Sequence, residues 1–218
     1  MISNKGVNLL FVSLCTVYCA SLFFAPLSFK WLIKISPIIC LIAVAVAQFK
    51  VRTVKYLIGG LVFSIAGDVF LALPNEAFFV YGLGAFLVAH LFYIASMLPL
   101  GLHRENAVSA YALYCLIMMT VLISHLGHLL IPVLLYMFVL LFMGVASVLS
   151  KKSNVWLVLG GIGFVVSDSV LGIDKFFTRV PQASLLIMVS YYFAQYCLTR
   201  GILIKVNSDV ETHTSISK

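Results

Sequence analysis

The sequence predicts an all-α integral membrane protein, a polytopic bundle of eight transmembrane helices, and three observations carry that prediction. Hydrophobic residues make up 63% of the 218-residue chain and charged residues only 10%, with a mean hydropathy of +1.14, far above the roughly half-apolar usage of soluble domains. Charged and helix-breaking residues recur at about the 20-residue interval that a helix needs to cross a hydrocarbon core of about 30 Å. The connections left between the apolar runs are short.

The predicted spans are 7–25, 31–49, 56–73, 78–98, 107–124, 129–149, 154–173 and 182–204. Residues 1–206 therefore read as a single transmembrane domain and 207–218 as a polar C-terminal tail. Little chain remains for a soluble domain, so function has to be built inside the bundle or at its mouths. Lys5 ahead of the first apolar run resembles the start of a signal peptide, but the run is long for an h-region and is kept as a helix.

Orientation follows from the basic residues, which concentrate in cytoplasmic loops. With the N-terminus inside, the cytoplasmic segments hold Lys5, Lys50, Arg52, Lys55, Arg104, Lys151, Lys152, Arg200, Lys205 and Lys218, ten of the 14 Lys and Arg, against Lys30, Lys34, Lys175 and Arg179 outside. Both termini are thus expected in the cytoplasm, in a multi-pass protein of the cell inner membrane if the chain is bacterial. The net charge of +7 reads as topology and attraction to anionic membrane lipid, with no nucleic-acid partner. Cys15, Cys19, Cys40, Cys115 and Cys197 all fall within spans and form no Cys-x-x-Cys pair, so they read as small packing residues.

Sorting the seven acidic residues by depth isolates two. Asp209 and Glu211 lie in the tail, Glu76 and Glu105 in loops, and Asp174 at a helix end beside Lys175. Asp68 and Asp168 lie well inside spans, where an ionisable group is costly and points to function. Their contexts echo one another: "GGLVFSIAGD" ends at Asp68 and "GGIGFVVSD" at Asp168. His90 follows Asp68 by 22 residues and Tyr191 follows Asp168 by 23, which pairs the third span with the seventh and the fourth with the eighth, as in two parallel four-helix repeats.

The 3.6-residue period groups side chains into faces. Ser64, Gly67, Asp68 and Leu71 share a side of the third span, and Gly82, Phe86, Ala89, His90, Tyr93 and Met97 one side of the fourth. Gly161, Phe164, Ser167, Asp168 and Leu171 share a side of the seventh; Ser184, Met188, Tyr191, Tyr192, Gln195 and Thr199 do so on the eighth. The first, second, fifth and sixth spans carry no internal acid, His or Gln and are expected to form a lipid-facing shell.

Both carboxyl-bearing helices run outward, so Asp68 and Asp168 should sit at similar depth and share a cavity. Withdrawal from water favours a neutral carboxyl, and two close carboxylates resist joint ionisation, so such a pair would hold one acid and one base. Ser64, His90, Tyr93, Ser167, Tyr191, Tyr192 and Gln195 would support the pair, orient a water or contact a substrate, or simply hydrogen-bond between helices. A zinc site is disfavoured, because it wants about three ligands and the spans supply a single His; no Gly-x-Ser-x-Gly elbow marks a serine triad.

The segments "FSIAGD" (Phe63 to Asp68), "AHLFYIA" (Ala89 to Ala95), "FVVSDSVLGIDKF" (Phe164 to Phe176) and "YYFAQ" (Tyr191 to Gln195) resemble, in order and spacing, the motifs of the YhhN-like lysoplasmalogenase family, and the likeness spans nearly the whole chain. The resemblance implies a membrane hydrolase that cleaves the vinyl ether bond of lysoplasmenylethanolamine or lysoplasmenylcholine to a fatty aldehyde and a glycerophospho-base. It implies motif roles for Asp68, Asp168 and His90, with Ala89 standing where the family often has Gly. Vinyl ethers hydrolyse by acid protonation of the carbon beta to oxygen, so two carboxyl groups suffice and no metal or organic cofactor is expected. Two rival readings remain: a proton-coupled transporter of a small or lipid-like solute, and a non-catalytic assembly subunit.

Overall fold

The computed structural model describes residues 5–24, 29–47, 51–75, 77–101 and 105–216. Lys50, Glu76, His103, Arg104 and Lys218 lie outside the described residues. Within them the chain forms eight α-helices: α1 (Lys5–Ser21), α2 (Lys30–Val46), α3 (Arg52–Ala72), α4 (Ala77–Met97), α5 (Glu105–Leu122), α6 (Leu130–Leu149), α7 (Val155–Gly172) and α8 (Ala183–Ile216). Each lies on one of the predicted spans, although α8 continues as helix through the polar residues after 206. Among the described residues, five helical stretches, spanning 52–72, 77–97, 108–125, 127–149 and 155–177, are long and apolar enough to cross a membrane. The fold is an all-helical membrane bundle.

Local chemistry explains several helix features. Asn154 caps α7, its side-chain carbonyl accepting from the Trp156 and Leu157 amides at 3.1 and 3.2 Å, which satisfies donors a helix start leaves free. Its amide reaches the Gly201 carbonyl of α8 at 3.0 Å, so one side chain both starts α7 and docks it. Pro37 lies inside α2 and cannot donate to the Ile33 carbonyl. The Ser36 hydroxyl supplies that bond instead, at 2.9 Å.

The most extensive helix contacts are those of α3 with α4 and of α7 with α8, the two pairs that carry the sequence echo. Glycine makes the first pair possible. A Cβ at Gly67 would stand 2.5 Å from the Phe86 ring, and one at Gly82 would stand 2.8 Å from Leu71. Close approach of small residues is a main source of helix association in lipid, where no hydrophobic force acts between helices.

One end of the bundle is tied by polar groups. The Ser150 hydroxyl donates to the Met97 carbonyl at 2.7 Å, and backbone bonds join Gly101 to Leu149 and Lys151 to Pro99. Lys205, counted from sequence among the cytoplasmic segments, turns inward and donates to the Ser96 and Leu98 carbonyls at 3.1 and 2.6 Å. A cation there complements the carbonyl-rich end of α4. The candidate site lies toward the opposite end.

Candidate active site

The α3, α4, α7 and α8 faces drawn from the helical period turn inward. Ser64, Asp68, His90, Tyr93, Ser167, Tyr191, Tyr192 and Gln195 are all buried, while Asp168 keeps some accessible surface. Asp68 and Asp168 line one cavity of about 350 Å³. Around them stand Tyr18, Leu71, Phe86, Ser167, Met188 and Tyr191.

The two carboxyl groups are held differently. Asp68 forms an ion pair with Lys34 of α2 at 3.0 Å, and the same ammonium donates to the Asp68 backbone carbonyl at 3.2 Å. The Tyr191 hydroxyl donates to the second carboxylate oxygen at 2.7 Å. Asp168 has no cation beside it among the described residues and accepts from the Tyr136 hydroxyl of α6. Burying a charge is expensive unless it is paired and hydrogen-bonded, so the pair built around Asp68 suits a carboxylate and the setting of Asp168 suits a neutral acid.

Behind Asp68 a polar chain crosses three helices, and its direction is fixed. Each tyrosine hydroxyl has one proton to give. Tyr93 gives its proton to the Gln195 side-chain carbonyl at 2.7 Å, so Ser64, 3.2 Å away, must be donor to Tyr93. The Gln195 amide donates to the Tyr191 hydroxyl at 3.1 Å, and Tyr191 donates to Asp68. Every bond therefore points toward the carboxylate. Tyr192 stands beside this chain and donates to the Lys34 carbonyl at 2.7 Å, steadying the helix turn that presents the ammonium.

His90 and Ser167 stand apart from the carboxyl oxygens. The His90 imidazole is enclosed by the rings of Tyr93, Tyr136 and Phe164, with centroids 6.4, 5.5 and 5.1 Å away. Neither ring nitrogen meets hydrogen-bond geometry with any partner among the described residues. Ser167 lines the cavity but gives its proton to the Ile187 carbonyl at 3.1 Å.

The expected lipid-facing shell needs correction. Lys34 of α2, Tyr136 of α6 and Tyr18 of α1 all line the cavity. Lys34 was read as an outer topological charge, yet it sits one turn inside α2 and is buried. The sequence signal was present: Lys34 falls within the predicted span 31–49, and a buried acid calls for a cation. Tyr136 offered no comparable sign, because one tyrosine in an apolar helix resembles a packing residue. Among the described residues, no three His, Cys, Asp or Glu side chains cluster as metal ligands would.

A membrane-embedded helical bundle whose cavity holds one ion-paired and one hydrogen-bonded aspartate defines a class of intramembrane carboxylate proteins. Comparison with known proteins narrows this class. The model of the YhhN family matches residues 29–202, and the chain belongs to that family. It is 34% identical over 177 residues to a lysoplasmalogenase of Mycobacterium bovis, covering 77% of this chain and 68% of the relative. It is 36% identical over 186 residues to lysoplasmalogenase TMEM86B of Mus musculus, covering 84% and 78% of the two chains. For lysoplasmalogenase TMEM86B of Homo sapiens the identity is 33% over 199 residues, covering 88% and 84%. No solved structure matches.

Proposed function

We propose that this protein is a lysoplasmalogenase, a membrane enzyme that hydrolyses the vinyl ether bond of lysoplasmalogens. The observation that carries the reading is the pair of differently held carboxyl groups in one cavity, in a chain whose relatives bear that name. The substrate is lysoplasmenylethanolamine or lysoplasmenylcholine, taken from the surrounding lipid. The eight helices are eight spans with both termini in the cytoplasm, and residues 1–206 form one transmembrane domain.

Asp168 serves as the acid. Its proton moves to the vinyl carbon beta to the ether oxygen, leaving an oxocarbenium ion and an Asp168 carboxylate. Asp68, ionised beside Lys34, stabilises the cation by charge. Its two oxygens already accept from Lys34 and Tyr191, but a carboxylate has about four acceptor sites, so room remains to bind a water.

Water then adds to the cationic carbon and gives a proton to Asp68, forming a hemiacetal. On collapse the hemiacetal hydroxyl proton passes to Asp168, and Asp68 returns its proton to the departing glycerol oxygen. The fatty aldehyde and glycerophospho-base leave with both carboxyl groups restored. Tyr191, Gln195, Tyr93 and Ser64 hold Asp68 in place; His90 packs the aromatic wall between Tyr93 and Tyr136.

The test is aldehyde release from a lysoplasmenyl lipid by purified protein in detergent. The wild type is expected to be active, and Asp168→Asn and Asp68→Asn are expected to lose at least about 10²-fold, the lower range of general acid–base contributions. An inert, folded wild type would overturn the hydrolase reading and favour transport, since detergent removes the second compartment a transporter needs.

A further inference from the structure

The cavity ends at the tip of the bundle where α3 and α7 finish and α4 and α8 begin, lined there by Ala72, Phe79, Lys175 and Ser184. At this point α7 gives way to a π-helical turn, Ile173–Phe177. Such turns redirect side chains and recur at functional sites. The turn carries Lys175, whose ammonium lies 5.3 Å from the centre of the Phe79 ring.

Neighbouring charges leave Lys175 available. Among the described residues no carboxylate lies within ion-pair distance of it. Asp174 is engaged elsewhere, accepting from the Val180 amide at 2.9 Å and facing Arg179 at 3.9 Å. Lys34, the other cation on the cavity wall, is taken by Asp68. Lys175 is thus an exposed cation on a rim whose other named residues, Ala72, Phe79 and Ser184, carry no charge, above a cavity deep enough to hold both carboxyl groups.

We propose that Lys175 binds the headgroup phosphodiester of the lysophospholipid, fixing it with the headgroup at this mouth and the vinyl ether beside the aspartates. This rests on the hydrolase reading and adds the phosphate-binding residue and the direction of the lipid. The lengths agree. Seven residues separate Asp168 from Lys175, about 10 Å along a helix axis, and seven bonds separate the phosphorus from the vinyl carbon to be protonated, ~9 Å when extended at ordinary bond lengths. A phosphate at the ammonium therefore delivers that carbon to the depth of Asp168. The Phe79 ring beneath the ammonium restricts its position, as cation–π contacts do.

The experiment compares two vinyl ether substrates with the full-length protein in detergent: a lysoplasmenylethanolamine and a 1-alkenylglycerol, which lacks the phosphate. Lys175→Gln is expected to raise KM for the phospholipid about tenfold, the factor that follows from losing one charge-assisted contact. The same variant should leave kcat for the phospholipid within about twofold and both constants for the alkenylglycerol unchanged, while Lys175→Arg restores the phospholipid KM. Equal effects on the two substrates, or none on either, would overturn the proposal and leave the hydrolase reading standing. A wild type that releases aldehyde from neither substrate would overturn the hydrolase reading, and the phosphate site with it.

Discussion

The Lys34 ammonium lies 3.0 Å from one oxygen of Asp68, and both side chains are buried. This contact separates two aspartates that resemble each other in sequence. Asp68 is neutralised by a fixed cation and a tyrosine donor, whereas Asp168 has a single tyrosine donor. One pocket then holds two carboxyl groups in unlike settings, one beside a fixed cation and one without, a difference set by neighbours on α2 and α6.

Removing the cation alone should be costly. Lys34→Met leaves Asp68 buried without its partner, and breaking a buried pair from one side costs about 3–5 kcal/mol. A lowered melting temperature in detergent is expected, together with loss of aldehyde release. The double variant Lys34→Met, Asp68→Asn should recover most of the stability and none of the activity. A single variant as stable as wild type would show that the pair carries no such energy.

Tyr136 should matter to rate more than to stability. Its hydroxyl donates to Asp168, and if Asp168 is the acid, as proposed, the same bond stabilises the carboxylate left when the proton is given up. Hydrogen bonds to charged groups contribute roughly 1.5–3 kcal/mol, so Tyr136→Phe is expected to lower kcat by about tenfold or more with KM little changed. Steady-state kinetics on the purified variant read this directly. A KM effect without a kcat effect would instead place Tyr136 in substrate binding.

Periodicity revealed what belongs to a single helix. The inward faces of α3, α4, α7 and α8, including Ser64, His90, Tyr93, Tyr191 and Gln195, follow from apolar spacing and the cost of polar groups in lipid. The cross-helix partnerships did not follow. Whether Asp68 meets Asp168 or Lys34 depends on how α2 packs against α3, which no spacing within either helix encodes. Topological reasoning did not reveal that Lys34 and Lys205 are buried, because positive-inside statistics concern the side on which a charge lies and not whether its side chain turns inward to acceptors, as both lysines do.

The α3–α4 seam gives a packing test with an internal control. A Cβ at Gly67 would press on the Phe86 ring at 2.5 Å, whereas one at Gly84 meets nothing within 4 Å. Overpacking typically costs about 1–3 kcal/mol, so Gly67→Val should lower the melting temperature and reduce turnover by displacing Asp68, the next residue. Gly84→Ala should leave both unchanged. Equal melting temperatures for the two variants would mean that the seam is looser than its contacts indicate.

Isotope labelling reports on the proton's destination without any mutation. If Asp168 protonates carbon, reaction in D₂O must place one deuteron on the aldehyde carbon next to the carbonyl, since that carbon was the beta carbon of the vinyl ether. Water captures the oxocarbenium carbon, so H₂¹⁸O must place its oxygen in the aldehyde and leave the glycerol hydroxyl unlabelled. Attack of water at the glycerol carbon would instead label the glycerol oxygen and release an enol, whose later conversion to aldehyde also takes up deuterium. The oxygen label is therefore decisive. Trapping the aldehyde as a stable alcohol by rapid reduction, followed by mass spectrometry, distinguishes the routes: ¹⁸O in the alcohol derived from the aldehyde is expected, and ¹⁸O in the glycerophospho-base would remove Asp168 from its role as carbon acid.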